Sequence, residues 1–131
     1  MGGFCGEELN DCWKYDINKN EWSQLSNLPR HLSVFASASS LNEDKKIRLV
    51  IHGGEVDPST LGHNGAGEFS QSTYVFDGQN WSMLEFVENE VRPASRGWHS
   101  GVFSNGCFYI YGGNLENNQR TNELWLLKFL N

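Results

Sequence analysis

The chain has 131 residues, enough for one domain-sized core, and 38% of them are hydrophobic. Sixteen acidic against ten basic side chains give a net charge of −6, which argues against nucleic acid or an anionic membrane as a partner. No apolar run is long enough to span a bilayer and no signal-peptide pattern opens the chain; three cysteines (Cys5, Cys12 and Cys107) without framework spacing read as reduced thiols of a cytoplasmic protein.

In chain order, a glycine pair, Gly2-Gly3, comes first. Leu9 to Asp16 then reads as an aromatic strand, with Trp13 and Tyr15 on one face; Asn18-Lys19-Asn20 reads as a turn and Glu21-Trp22 as the next strand. Past Pro29-Arg30-His31, a strand is expected over 33–41, and a second over 47–52 ends in Gly53-Gly54. After a long insertion come strands over 72–77 and 80–85, joined by a turn at Asp77-Gly78 and containing Trp81. Pro93, Arg96 and His99 precede another strand; Cys107 to Tyr111 runs into Gly112-Gly113, and Thr121 to Leu127 forms the last strand. Nothing shows a sustained helical period, so the fold class is all-β.

The glycine pairs lie 51 and 59 residues apart, and Trp81 follows Trp22 by 59. A strand that ends in a glycine pair, repeated at such a period, marks a repeat architecture. The series glycine pair, aromatic strand, turn, tryptophan resembles the kelch repeat. That resemblance implies blades of four antiparallel strands in a β-propeller. On that reading residues 1–131 form a kelch-type propeller segment of about two blades plus flanking strands, not a closed ring: 9–25 are the last two strands of one blade, 32–86 a full blade, and 98–129 three strands of the next. Closed propellers have about four to eight blades. The expectation is a truncated product, a fragment or a subunit completed by other chains, with exposed strand edges. Trp22 and Trp81 are expected as equivalent buried anchors, Cys12 and Cys107 as small core residues, His31 and His99 as equivalent packing residues, and His52 as a satisfied buried imidazole.

The segment with chemistry is the insertion from Gly54 to Phe69. Glu55, Asp57 and His63 fall within nine positions of a glycine-rich loop, where function tends to sit. Two carboxylates and an imidazole are also a ligand set for non-haem iron. Equally, Asp57-Pro58-Ser59 is a good turn opener, and the carboxylates can organise the loop. With Arg96-Gly97-Trp98, Gly112 to Leu115 and Asn118 to Leu124, this loop is similar to the last two blades of the plant nitrile-specifier and epithiospecifier kelch proteins. The resemblance implies a Glu-x-x-x-Asp-x-x-x-His site for Fe(II), here met by Glu55 and His63. Ser59 occupies the middle position, and Asp57 lies two residues early.

Two functions follow. One is a kelch-repeat binding module whose partners are another protein or the remaining propeller blades, with no cofactor and with Arg96, Trp98 and Arg120 as binding residues. The other is an iron-dependent, specifier-like lyase that directs a small sulfur-containing substrate, a glucosinolate aglucone, to nitriles, with Glu55, Asp57 and His63 as metal ligands. No nucleophile motif or phosphate-cradling loop is present, so whether the chain is an enzyme stays open.

Overall fold

The computed structural model describes residues 1–41, 47–56, 67–87 and 90–129. Among them the fold is all-β, with one 3-10 turn at Glu116–Asn118 and no α-helix. The strands are β1 (Gly3–Phe4), β2 (Glu8–Leu9), β3 (Trp13–Asp16), β4 (Glu21–Gln24), β5 (Ala36–Leu41), β6 (Ile47–His52), β7 (Thr73–Phe76), β8 (Trp81–Met83), β9 (Arg96–Gly97), β10 (Ser100–Ser104), β11 (Cys107–Tyr111), β12 (Asn114–Leu115) and β13 (Leu124–Lys128). β5-β6-β7-β8 form a four-stranded antiparallel sheet, β10-β11-β13 a three-stranded one and β3-β4 a hairpin. Among the described residues no sheet closes on itself, and the antiparallel sheets succeed one another along the chain as the blades of a propeller segment do.

The central sheet is buried on both faces, which is why β6 reads as a nearly continuous apolar run. Strand alternation sends Ile51 and Tyr74, cross-strand partners, toward the first repeat. There they pack with Leu28, Leu32 and Val56, and with the partly buried Phe35 and Trp81. The opposite face carries Ala36 and Val50, which meet Phe108 and Ile110 of the third repeat together with Trp125 and Leu127. Gly101 permits this approach: a Cβ there would lie 2.8 Å from the Phe108 ring.

The glycine pairs join one repeat to the next. Gly3 donates its N–H to Leu32 O at 2.9 Å, and Gly54 donates to Arg96 O at 2.9 Å. Gly53 has φ +67 and Gly54 φ +98, backbone that favours glycine. A Cβ at Gly53 would meet Arg96 O at 2.6 Å, and one at Gly54 would meet Ser33 O at 2.6 Å. The pair is therefore required both by backbone conformation and by the neighbouring repeat pressed against it.

Some expectations change. Trp81 is half-buried and donates its indole N–H to Ser26 O of the first repeat at 3.1 Å, whereas Trp22 is 66% exposed. Trp22 packs on Tyr15, its cross-strand partner, at 5.0 Å between ring centroids. The two tryptophans share a strand position and not an environment, because a repeat packs over Trp81 and, among the described residues, none packs over Trp22. Cys12 is buried but lies one residue before β3, and burial pushes its thiol pKa up, as suits a core residue. His31 and His99 are not equivalent. Ala36 and Ser100 pair with the residues just before their glycine pairs, His52 and Tyr111, so Phe35 is the counterpart of His99 and Leu32 that of Arg96. Val34 (φ 48) and Trp98 (φ 53), which share a positive φ that is unusual outside glycine, match in the same frame.

Candidate functional site

Each glycine pair opens into a small hairpin with a common base. Phe4 pairs Glu8, Glu55 pairs Phe69 and Asn114 pairs Arg120. Three residues lie between the paired positions in the first hairpin, five in the third and thirteen in the second. The long insertion is thus an ordinary repeat hairpin lengthened at its tip. Its base is tied down: Ser33 exchanges backbone hydrogen bonds with Glu55, at 3.1 and 2.9 Å, and Val56 donates to Glu68 O at 2.9 Å.

Glu55 is buried, and its Oε1 accepts the Gly67 N–H at 2.6 Å. The carboxylate bridges the two arms of the hairpin, the loop-organising role open to it in the sequence. Asp57, Ser59 and His63 lie outside the described residues.

The three binding candidates separate. Trp98 is 54% exposed, and its ring meets Phe69 edge-on at 5.7 Å, so it stands beside the base of the long hairpin. Its N–H donates to Val34 O at 2.8 Å, which links the second and third repeats. Arg120 is exposed on the third hairpin, whose residue Asn114 pairs both with Arg120 and with Gly97. Arg96, a binding candidate in the sequence, has no exposure at all. Its guanidinium donates to Ala94 O at 3.0 Å, to Gly112 O at 3.1 Å and to Glu123 Oε2 at 2.7 Å. It is a tie inside the third repeat. Glu123 also accepts the Trp125 indole N–H at 2.9 Å, and this bond, followed by that from Arg96, holds its carboxyl below the usual carboxylate range.

A further polar group was not legible as a cluster. The imidazoles of His52 and His99 meet edge-on at 5.6 Å, both buried, in the seam between the second and third repeats. His52 Nδ1 shares a hydrogen bond with Thr73 Oγ1 at 2.8 Å, while among the described residues His52 Nε2 and both nitrogens of His99 have no hydrogen-bond partner. Burial first, then His99 and Arg96, push the His52 pKa down to about 3. Burial and Arg96 push His99 to about 4; backbone carbonyls of His52 and Gly97 oppose that shift without closing a hydrogen bond. Both rings are neutral at pH 7. The sequence signal was weak: His52 stands directly before a glycine pair, and its partner is 47 residues away.

A family model described as Kelch motif matches residues 1–29, the segment that holds the first glycine pair and the β3-β4 hairpin. The first repeat thus carries a kelch motif. Among curated kelch-type relatives it is 29% identical to Kelch domain-containing protein 3 of Rattus norvegicus, over 95% of this chain and 33% of that protein. The human Kelch domain-containing protein 3 is 28% identical over the same shares. The N-(sulfonatooxy)prop-2-enimidothioate sulfolyase of Thlaspi arvense is 25% identical, over 90% of this chain and 35% of that protein. The chain spans about a third of the length of the curated relatives it matches.

Proposed function

We propose that the chain acts as a protein-binding module whose partner meets the hairpins that grow from the glycine pairs. The observation that carries this reading is their shared base and unequal tips. A rigid β scaffold fixes the feet at Glu55-Phe69 and Asn114-Arg120, while length and sequence vary where a partner would touch. Exposed Trp98, braced on Phe69, supplies an aromatic anchor of the kind that dominates interface energies. Fold alone does not assign a partner; the reading rests on the hairpin feet and on exposed Trp98. The test replaces residues 57–66 with a short tip like that of the first hairpin. Quantitative affinity enrichment should lose at least one partner specifically with this variant and with Trp98→Ala, at unchanged thermal stability. An identical partner profile for both variants and wild type would overturn the reading.

A second reading, an iron-dependent lyase, has one observation in its favour: the similarity to the sulfolyase across 90% of this chain. Two carboxylates and an imidazole, Glu55, Asp57 and His63, are a donor set that suits Fe(II). Bound there, the metal would supply a Lewis acid with open positions. Against it, Glu55 Oε1 is already engaged by the Gly67 N–H. Anaerobic titration with Fe(II) decides: tight binding that falls at least about tenfold in Glu55→Gln and His63→Ala, each monitored for folding, supports the site. Equal weak binding in all three removes it.

A further inference from the structure

Three hydrogen bonds put the repeats in one register. Gly2 donates to Asp11 O at 2.8 Å, Gly53 to Ser72 O at 3.0 Å and Gly112 to Glu123 O at 3.0 Å. Two residues past these acceptors, Trp13, Tyr74 and Trp125 hold equivalent positions. Three residues before the glycine pairs, Val50 and Tyr109 do the same. Tyr74 packs on the first repeat and Trp125 on the second, so each repeat turns this position toward the repeat before it. Val50 and Val75 pack on the third repeat, from the face turned toward the repeat after it. Each internal seam therefore joins one face of each kind.

Among the described residues, one face of each kind has no repeat against it. On the first repeat, Trp13, Tyr15 and Trp22 are exposed, on the face that matches Tyr74. On the third, Tyr111 pairs with Leu124, and Tyr109 with Val102 and Leu126, in two adjoining rows of the face that matches Val50. Val102, Tyr111, Leu124 and Leu126 are exposed there. Strand alternation puts only one charged side chain on these two faces of β3-β4 and β10-β11-β13, that of Lys128. Surfaces rich in Trp and Tyr and poor in charge are the ones that proteins bury against each other. We infer that copies of this chain join head to tail, the Trp13-Tyr15-Trp22 face of one against the Tyr109-Tyr111-Leu126 face of the next. The occupant is a second copy because the two open faces are of the two kinds that the chain already joins within itself. The contact is heterologous, between unlike patches. It uses other residues than the hairpin reading does, so the two stand or fall separately.

Sedimentation equilibrium of the full chain, with thiols kept reduced, tests this. The average mass should rise with concentration across the micromolar range; in dilute solution the chain is a monomer and Trp22 stays exposed. Trp22→Lys and Leu126→Lys, at exposed positions, each place an ammonium in the contact. Each alone should associate at least about tenfold more weakly than wild type. Mixed, they should form one-to-one pairs and nothing larger, because each keeps the face that the other has lost. If circular dichroism shows either variant unfolded, Trp13→Lys or Leu124→Lys takes its place on the same face. A wild type that stays monomeric throughout, wild-type association of Trp22→Lys or Leu126→Lys alone, or a mixture that does not pair would overturn the proposal.

Discussion

The two seams of this molecule are built on the same backbone and filled with different chemistry. In the first, Gly3 bonds Leu32 O, and a Cβ on Gly2 would strike the Phe35 ring at 3.0 Å. In the second, Gly54 bonds Arg96 O, and a Cβ on Gly53 would strike His99 Cε1 at 2.8 Å. Leucine and phenylalanine on one side become arginine and histidine on the other. The backbone contact requires only a glycine pair and a carbonyl, so side chains are free to diverge. Divergence has consequences: buried Arg96 needs Gly112 O and Glu123 as acceptors, and His99 stays neutral at pH 7.

The largest expected effect breaks what the seams share. Gly53→Ala combines a positive φ with a steric clash against Arg96 O, so it should destabilise by about 4 kcal/mol. Gly106→Ala has a similar φ, +74, but nothing within 4 Å of the added Cβ, and should cost only about 1 kcal/mol. Chemical denaturation of both separates clash from conformation. Equal losses would mean that the second seam yields to the added methyl.

The next effect separates the seams by pH. His52 and His99 have folded-state pKa values of about 3 and about 4, below the ordinary 6.5, so the unfolded chain binds more protons. Their contribution to stability is complete above pH 6.5 and is lost as pH falls toward 4. For His52 alone the loss over that window is about 3 kcal/mol, at about 1.4 kcal/mol per pH unit. His99→Phe, which copies the first seam, should flatten the curve of melting temperature against pH between 6.5 and 4. An unchanged slope in that variant would show that other groups govern acid unfolding.

The smallest effect concerns the tryptophans. Trp81 packs against the first seam and bonds Ser26 O, so Trp81→Ala should cost about 3 kcal/mol. Trp22, 66% exposed, should cost less than about 1 kcal/mol. Matching losses in urea denaturation would mean that the Trp22 face is covered in solution.

The repeat itself was legible, because glycine pairs at 2–3, 53–54 and 112–113 carry a backbone requirement that no other residue meets as easily. Side-chain environments were less so. Pro29-Arg30-His31 resembles the stretch from Pro93 to His99 in residue type, and that likeness hid the true match of Leu32 with Arg96. The length of chain before the strand differs between repeats, and only the pairing of Ala36 with His52 and of Ser100 with Tyr111 reveals it. Trp22 looked like Trp81 because sequence shows a strand position but not what lies above it. Glu55 read as a metal ligand or a loop organiser, and its bond to Gly67 depends on a pairing twelve residues away.

The hairpin feet have a practical consequence. Lengthening a tip from three residues to thirteen, once its base is closed, costs only about 1.3 kcal/mol of loop-closure entropy. This molecule already carries both lengths on equivalent feet. The three-residue tip after Phe4 and the five-residue tip after Asn114 are therefore natural ports for grafted peptides: an epitope, a fluorophore tag or a randomised library could be seated there with its ends already held at hairpin spacing.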